Sequence, residues 1–172
     1  LLAMGRLDPA RVRQTSAIIA RQVKHMTGLV DDLLDVSRVT RGLITLDREK
    51  LDARRIVAEA VEQVRPLIDL RRHHLALHTP PEPAIVWGDQ KRLVQVMTNL
   101  LNNAAKYTPR EGSIVVAVDI DGDRVRMSVS DNGIGMTPEV LARAFELFSQ
   151  AERTSDRSQG GLGIGLALVK SL

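Results

Sequence analysis

From Pro9 to Arg41 the apolar residues recur at helical spacing, and this run constrains the fold more than any other feature of the chain. Ile19, Val23, Met26, Val30 and Leu33 mark one stripe, and Leu29, Leu34 and Val36 widen it. Asp8-Pro9 is a start signal, a capping carboxylate followed by a proline whose missing N–H costs nothing at the first helical position. Gly42 is a stop signal. At 1.5 Å per residue the run makes roughly 50 Å of helix, long for a lone surface helix. So broad a stripe must pack against something. Other helices in a bundle are the simplest answer, and one long helix laid on the sheet of its own domain is the alternative.

After Gly42 the pattern changes. Ile44 to Glu49 can form a short strand, and Ala53 to Leu70 reads as a helix with Ile56, Ala60, Val64 and Leu67 on one face. His74 to Thr79 alternates as a strand does, and the proline-rich Thr79 to Pro83 is a loop. Trp87-Gly88-Asp89 leads into a strong helix from Gln90 to Tyr107. Two alternating segments, Ser113 to Ile120 and Arg124 to Ser130, meet at Asp121-Gly122, a hairpin signal. Beyond Asp131 come a glycine loop, a helix over Pro138 to Phe148, a polar stretch, and a second glycine loop opening a final helix. Helices and a partly antiparallel sheet are mixed in one chain, which is the α+β class.

Composition removes several kinds of function. With no cysteine among 172 residues, disulfides, thiolate metal sites and cysteine nucleophiles are excluded, and a reducing compartment such as the cytoplasm is expected. The formal charge is 24 − 21 = +3, with basic residues scattered and four aromatics in all (Trp87, Tyr107, Phe145, Phe148). A nucleic-acid binder would carry a concentrated basic stripe or a stacking platform, so no nucleic acid is expected as a partner. No apolar run approaches the length of a membrane span, so no membrane contact is expected here, though a parent protein could be anchored elsewhere.

Three segments carry chemistry. On the helix ending at Tyr107, Asn99, Asn103, Lys106 and Tyr107 share one face, and Leu93, Met97, Leu100 and Ala104 form the other. Amide oxygens are hard, neutral ligands suited to Mg²⁺ beside phosphate oxygens, and a lysine adds a point charge for phosphate. An ordinary solvated polar face has the same pattern. Asp131-Asn132-Gly133-Ile134-Gly135-Met136 follows a strand directly, and its two glycines let backbone approach a ligand or simply turn. Gly160-Gly161-Leu162-Gly163-Ile164-Gly165-Leu166 runs into an apolar helix and presents free N–H groups at its start. It lacks the Gly-Lys-Ser/Thr ending of a Walker loop and the βαβ setting of a Rossmann site.

In order and spacing these segments resemble the boxes of the histidine kinase ATPase domain, in the wider family with gyrase, Hsp90 and MutL. Asn99 to Tyr107 is similar to the N box, and Asp131 to Gly135 to the first glycine box. Phe145-Glu146-Leu147-Phe148 is similar to the phenylalanine box, and Gly161 to Gly165 to the second glycine box. Leu33-Leu34-Asp35-Val36-Ser37-Arg38 resembles the end of the second dimerisation helix of such kinases. The resemblance implies a two-layer α/β sandwich of the Bergerat type with a mixed sheet, over 42–172, preceded in 1–41 by part of a dimeric four-helix bundle. It implies a homodimer formed through the N-terminal helix, ATP and Mg²⁺ as cofactors, and a response-regulator receiver domain as partner.

The resemblance also implies roles. Asn103 would hold Mg²⁺ with Asn99 assisting, Lys106 would contact phosphate, and Tyr107 would line the pocket. Asp131 would accept a hydrogen bond from the adenine amino group, with Gly133 and Gly135 leaving room for the base. Gly161, Gly163 and Gly165, leading into Leu166, would cradle the phosphates, and Phe148 would border the site. Ser149 to Gln159 would be a lid, with Arg157 as a phosphate contact. ATPases of the superfamily carry a glutamate four residues before the metal-binding asparagine; here Asn99 stands there, an amide that cannot act as a general base. Transfer is favoured over hydrolysis.

The kinases' acceptor histidine sits on a helix, followed by an acidic residue and, five positions on, a proline. His25 is followed by Met26-Thr27, His73 and His74 lie between a helix and a strand, and His78 precedes Thr79-Pro80-Pro81, which cannot be helix interior. The acceptor is therefore expected upstream of Leu1, with no autophosphorylation by these 172 residues alone, and the family's last turn and two strands are expected beyond Leu172.

Overall fold

A computed structural model describes residues 9–40, 45–149 and 163–172. Helix α1 spans Pro9–Thr40 and is followed by β1 (Glu49–Asp52), α2 (Ala53–Leu70), β2 (His74–His78) and β3 (Ile85–Gly88). Then come α3 (Gln90–Tyr107), β4 (Ser113–Asp121), β5 (Arg124–Asp131), α4 (Pro138–Arg143) and α5 (Gly165–Ser171). The bounds of α2 and α3 are those expected from periodicity, and each has a carboxylate cap. Asp52 accepts from Arg54 N at 3.1 Å and Asp89 from Arg92 N at 3.2 Å, so a free first-turn donor is satisfied in both.

The main sheet has the order β2-β4-β5 and is mixed. β2 runs parallel to β4, with His74 opposite Ser113, and β4 runs antiparallel to β5, with Asp121 opposite Arg124. Gly122, at φ 61, makes the tight turn that this register demands. Along β4 every second side chain is buried (Ile114, Val116, Val118), so one face of the sheet is covered. The cover is α2 and α3 side by side. Ile56, Val57, Val64 and Ile68 from α2 and Met97, Leu101 and Ala105 from α3 join that strand face in one core. The result is two layers, helices on a mixed sheet, in the α+β class.

Three elements differ from expectation. The strand expected over Ile44 to Glu49 begins at Glu49 instead, and Ile44 itself lies outside the described residues. Its partner is β3, a segment the periodicity did not mark, and the two pair antiparallel with Leu51 opposite Val86. A four-residue strand is too short for alternation to be read; pairing across the chain creates it. Likewise α4 ends at Arg143 rather than Phe148. Turns follow, and Phe148 takes φ 61, which no helix can continue through.

Helix α1 packs on α5 and touches the first turn of α3. Asp35, 9% exposed, accepts from Arg92 Nη1 at 2.5 Å and from Gln95 Nε2 at 3.0 Å. Farther along, Asp47 N donates to the Asp89 carboxylate at 3.1 Å. The chain is thus fastened to the start of α3 on both sides of residues 41–44. Much of the apolar stripe of α1 stays in solvent: Ile19, Val23, Met26 and Val30 are each more than half exposed. Gly42 lies outside the described residues, as does the helix end expected there.

Candidate functional site

Helix α3 is the spine of the site because both glycine loops close on it. Near its middle Asn99 is half-buried, and a Cβ added to Gly165 would meet Asn99 Oδ1 at 3.4 Å. The start of α5 therefore lies directly on the asparagine. Asn99 Nδ2 is buried and has no hydrogen-bond partner among the described residues. A buried amide donor left open costs about 1–3 kcal/mol, so a ligand acceptor at this position would relieve it.

About 12 Å farther along the axis, at 1.5 Å per residue, α3 ends at Tyr107, and the first glycine loop seats there. Ile134 N donates to Tyr107 O at 3.2 Å. Gly133 N donates to the carboxylate of Asp131 at 2.9 Å, and a Cβ at Gly133 would stand 2.7 Å from Tyr107 O. Only glycine allows this approach. Gly135, at φ 67, faces open space, and Asp131 is exposed. Lys106 Nζ lies 4.7 Å from the centre of the Tyr107 ring, a cation–π pair at the rim. Asn103, on the same face one turn before Tyr107, is half-buried.

Sequence reasoning missed Asn132. Its Oδ1 accepts from Ser113 N at 2.8 Å and its own N–H donates to Ser113 O at 3.2 Å, so it ties the loop to the start of β4. The signal was its place between Asp131 and Gly133, where an asparagine side chain can mimic backbone.

The second loop is joined to the phenylalanine segment. Phe148 N donates to Gly163 O at 3.2 Å, and a Cβ on Gly163 (φ 71) would stand 2.5 Å from Ser149 O. The two described flanks of 150–162 thus meet. Phe148 itself is exposed and Leu166 is half-buried on α5. Arg157 and Gly161, expected at the phosphates, lie outside the described residues, as does most of the expected lid. The structure brings Asn99 to Gly165, Tyr107 to Gly133 and Phe148 to Gly163. These segments are far apart in sequence and share one helix and its two loops.

Residues 88–172 match the family described as histidine kinase-, DNA gyrase B- and HSP90-like ATPase. Residues 88–172 belong to this family. The mixed sheet and helix pair described above form the two-layer Bergerat arrangement expected from the sequence. The chain is 36% identical over 172 residues to the non-motile and phage-resistance protein of Caulobacter vibrioides, covering 98% of this chain and 20% of that one. It is 32% identical over 165 residues to the circadian input-output histidine kinase CikA of Thermosynechococcus vestitus, covering 94% of this chain and 22% of CikA. Among solved structures it is similar to full-length ShkA in complex with AMPPNP, with a TM-score of 0.77 and 30% identity over 97% of this chain and 34% of ShkA. The chain spans about a fifth of the length of these two curated relatives. Among the described residues no helix is long and apolar enough to cross a membrane.

Proposed function

We propose that this chain is the ATP-binding core of a sensor histidine kinase, residues 42–172 forming the catalytic domain and residues 1–41 part of its dimerisation segment. The observation that carries the reading is the double closure on α3, with Gly165 against Asn99 and Gly133 against Tyr107. Between these points the helix offers two amides and a lysine on one face, and one amide donor is open. That set fits a ligand with anionic oxygens at one end and a flat base at the other. ShkA was solved with AMPPNP, a nucleotide of that shape, and this supports the assignment.

In this reading Asp131 recognises the adenine amino group, Tyr107 lines the pocket, and Lys106 balances charge on the phosphates. The donor set also fits Mg²⁺, held through Asn103 with Asn99 beside it; when bound, the ion neutralises phosphate oxygens. Asn99 Nδ2 is free to donate to a phosphate oxygen. In the reaction the bond from the γ-phosphorus to the bridging oxygen breaks, its electron pair leaving with ADP, and a P–N bond forms to an imidazole nitrogen. The imidazole releases its proton to a base or to solvent. Phosphoryl transfer asks little covalent chemistry of the protein, so positioning and charge are its contribution. The phosphoryl group then passes to a receiver aspartate of a response regulator.

The position of Asn99 favours transfer over hydrolysis, because an amide cannot deprotonate water. The acceptor histidine lies on a helix outside these 172 residues, the enzyme is a homodimer through α1, and its place is the cytoplasm. Labelled ATP tests this: the chain alone should bind it without becoming labelled. A polypeptide carrying an acceptor-histidine helix should then gain an acid-labile phosphate. Stoichiometric labelling of His25, His73, His74 or His78 would overturn the assignment.

A further inference from the structure

The turn between α2 and β2 reaches across to the end of α3. Arg71 Nη1 donates to Lys106 O at 3.1 Å. His73 Nε2 lies 3.2 Å from Thr108 O and 3.0 Å from Pro109 O. Both are carbonyls, which only accept, so Nε2 carries the ring proton and donates to the pair. His73 is 8% exposed, so water competes little for these bonds. Tyr107 O, between them, is taken by Ile134 N at 3.2 Å. Four consecutive carbonyls, Lys106 to Pro109, are therefore held where a helix end would otherwise leave them to water. Glu111 N closes the return, donating to Arg71 O at 3.0 Å.

We propose that Arg71 and His73 are positioning residues for the nucleotide site, fixing Lys106 and Tyr107 through the backbone that carries them. Both act on backbone carbonyls and not on a side chain assigned to the ligand. Helix ends fray unless their carbonyls are paired, and the last turn of α3 holds the two side chains assigned to the phosphates and the pocket wall. The two cationic or proton-donating side chains also suit the negative end of the α3 dipole. Arg71 grips the carbonyl before Tyr107 and His73 the two after it, so the tyrosine's place is set from both sides. The inference rests on the nucleotide reading above, and its failure can be told from the failure of that reading.

Tyr107 is the single tyrosine of the chain, so ¹⁵N-tyrosine labelling gives one backbone signal at the point in question. The whole chain is titrated with magnesium AMPPNP. His73→Ala and Arg71→Ala should each weaken binding roughly three- to tenfold, the value of a lost hydrogen bond or two, and displace the Tyr107 signal of the free protein. His73→Gln keeps an N–H donor at the same reach and should restore affinity to within about twofold of the unmodified chain. Unchanged affinity with an unmoved Tyr107 signal in both alanine variants overturns the proposal, and so does a folded His73→Ala chain that Gln fails to rescue. If His73→Ala does not fold, the partly exposed Arg71, as Ala against Lys, decides by the same two readouts. An unmodified chain that binds no nucleotide overturns the proposed function, and this inference with it.

Discussion

Asp35, near the end of α1, accepts a 2.5 Å hydrogen bond from Arg92 in the first turn of α3, and Gln95 donates to the same carboxylate oxygen. The two side chains are only 12% and 24% exposed. This contact ties α1 to the helix that carries Asn99 and Asn103.

Removing either partner leaves a largely buried charge, so Asp35→Ala and Arg92→Ala should each lower stability by about 1–3 kcal/mol. The double variant should lose less than the sum, with a coupling energy of about 0.5–3 kcal/mol. Urea titration of the four proteins measures it, and purely additive losses would mean that the two elements do not communicate.

Asn103→Ala should remove the Mg²⁺ dependence of ATP binding, and Asp131→Asn should weaken adenine recognition, with GTP less affected. Gly133→Ala should do more. Its Cβ would stand 2.7 Å from Tyr107 O and 2.6 Å from Asp131 Oδ1, so loop and helix end must separate at a cost of about 1–3 kcal/mol. Calorimetry on the three variants checks the site, and ATP binding unchanged in all of them would refute it.

Met26, Val30 and Leu33 are 63%, 55% and 47% exposed on α1. Burying each large apolar side chain in a bundle stabilises by roughly 1.5–3 kcal/mol, so the unmodified chain should self-associate. Replacing all three with serine should leave a monomer. Sedimentation velocity distinguishes the two, and a monomeric unmodified chain at high concentration counts against the bundle.

Asp52 predicts an acid limb. Hydrogen bonds from the Arg54 guanidinium, at 2.7–3.1 Å, hold its carboxyl below the ordinary value of 3.8, while burial opposes them. A carboxylate whose pKa is lower in the folded state stabilises fully above its unfolded value, and the contribution fades as pH falls through the folded value. Asp52→Asn keeps the cap acceptor and loses the charge. The variant should be less stable near neutrality, and the gap should close below about pH 4. Thermal melts from pH 7 to pH 3 follow it; a gap constant with pH would mean that the charge contributes nothing.

Helices α2 and α3 and the β4–β5 hairpin were legible because their information is local. An apolar residue every third or fourth position and Asp121-Gly122 between two alternating runs each act within a few residues. The positions of the asparagine face and the glycine loops were legible for the same reason, since residue type and spacing state what a segment can donate or accept. Three relationships lay beyond this reach. The pairing of β1 with β3 joins four-residue segments on opposite sides of α2, and neither alternates enough to announce itself. Gly165 rests on Asn99 and Gly163 on Ser149 because packing of α5 and the loops brings them there. His73, unremarkable between a helix and a strand, becomes a clamp only where the parallel pairing of β2 with β4 sets it beside Thr108 and Pro109. By itself the sequence determined the long helices, the β4–β5 hairpin and the glycine turns, because those preferences are settled between near neighbours. The tertiary structure alone decided which of them meet, because contacts between distant segments depend on the whole core closing at once.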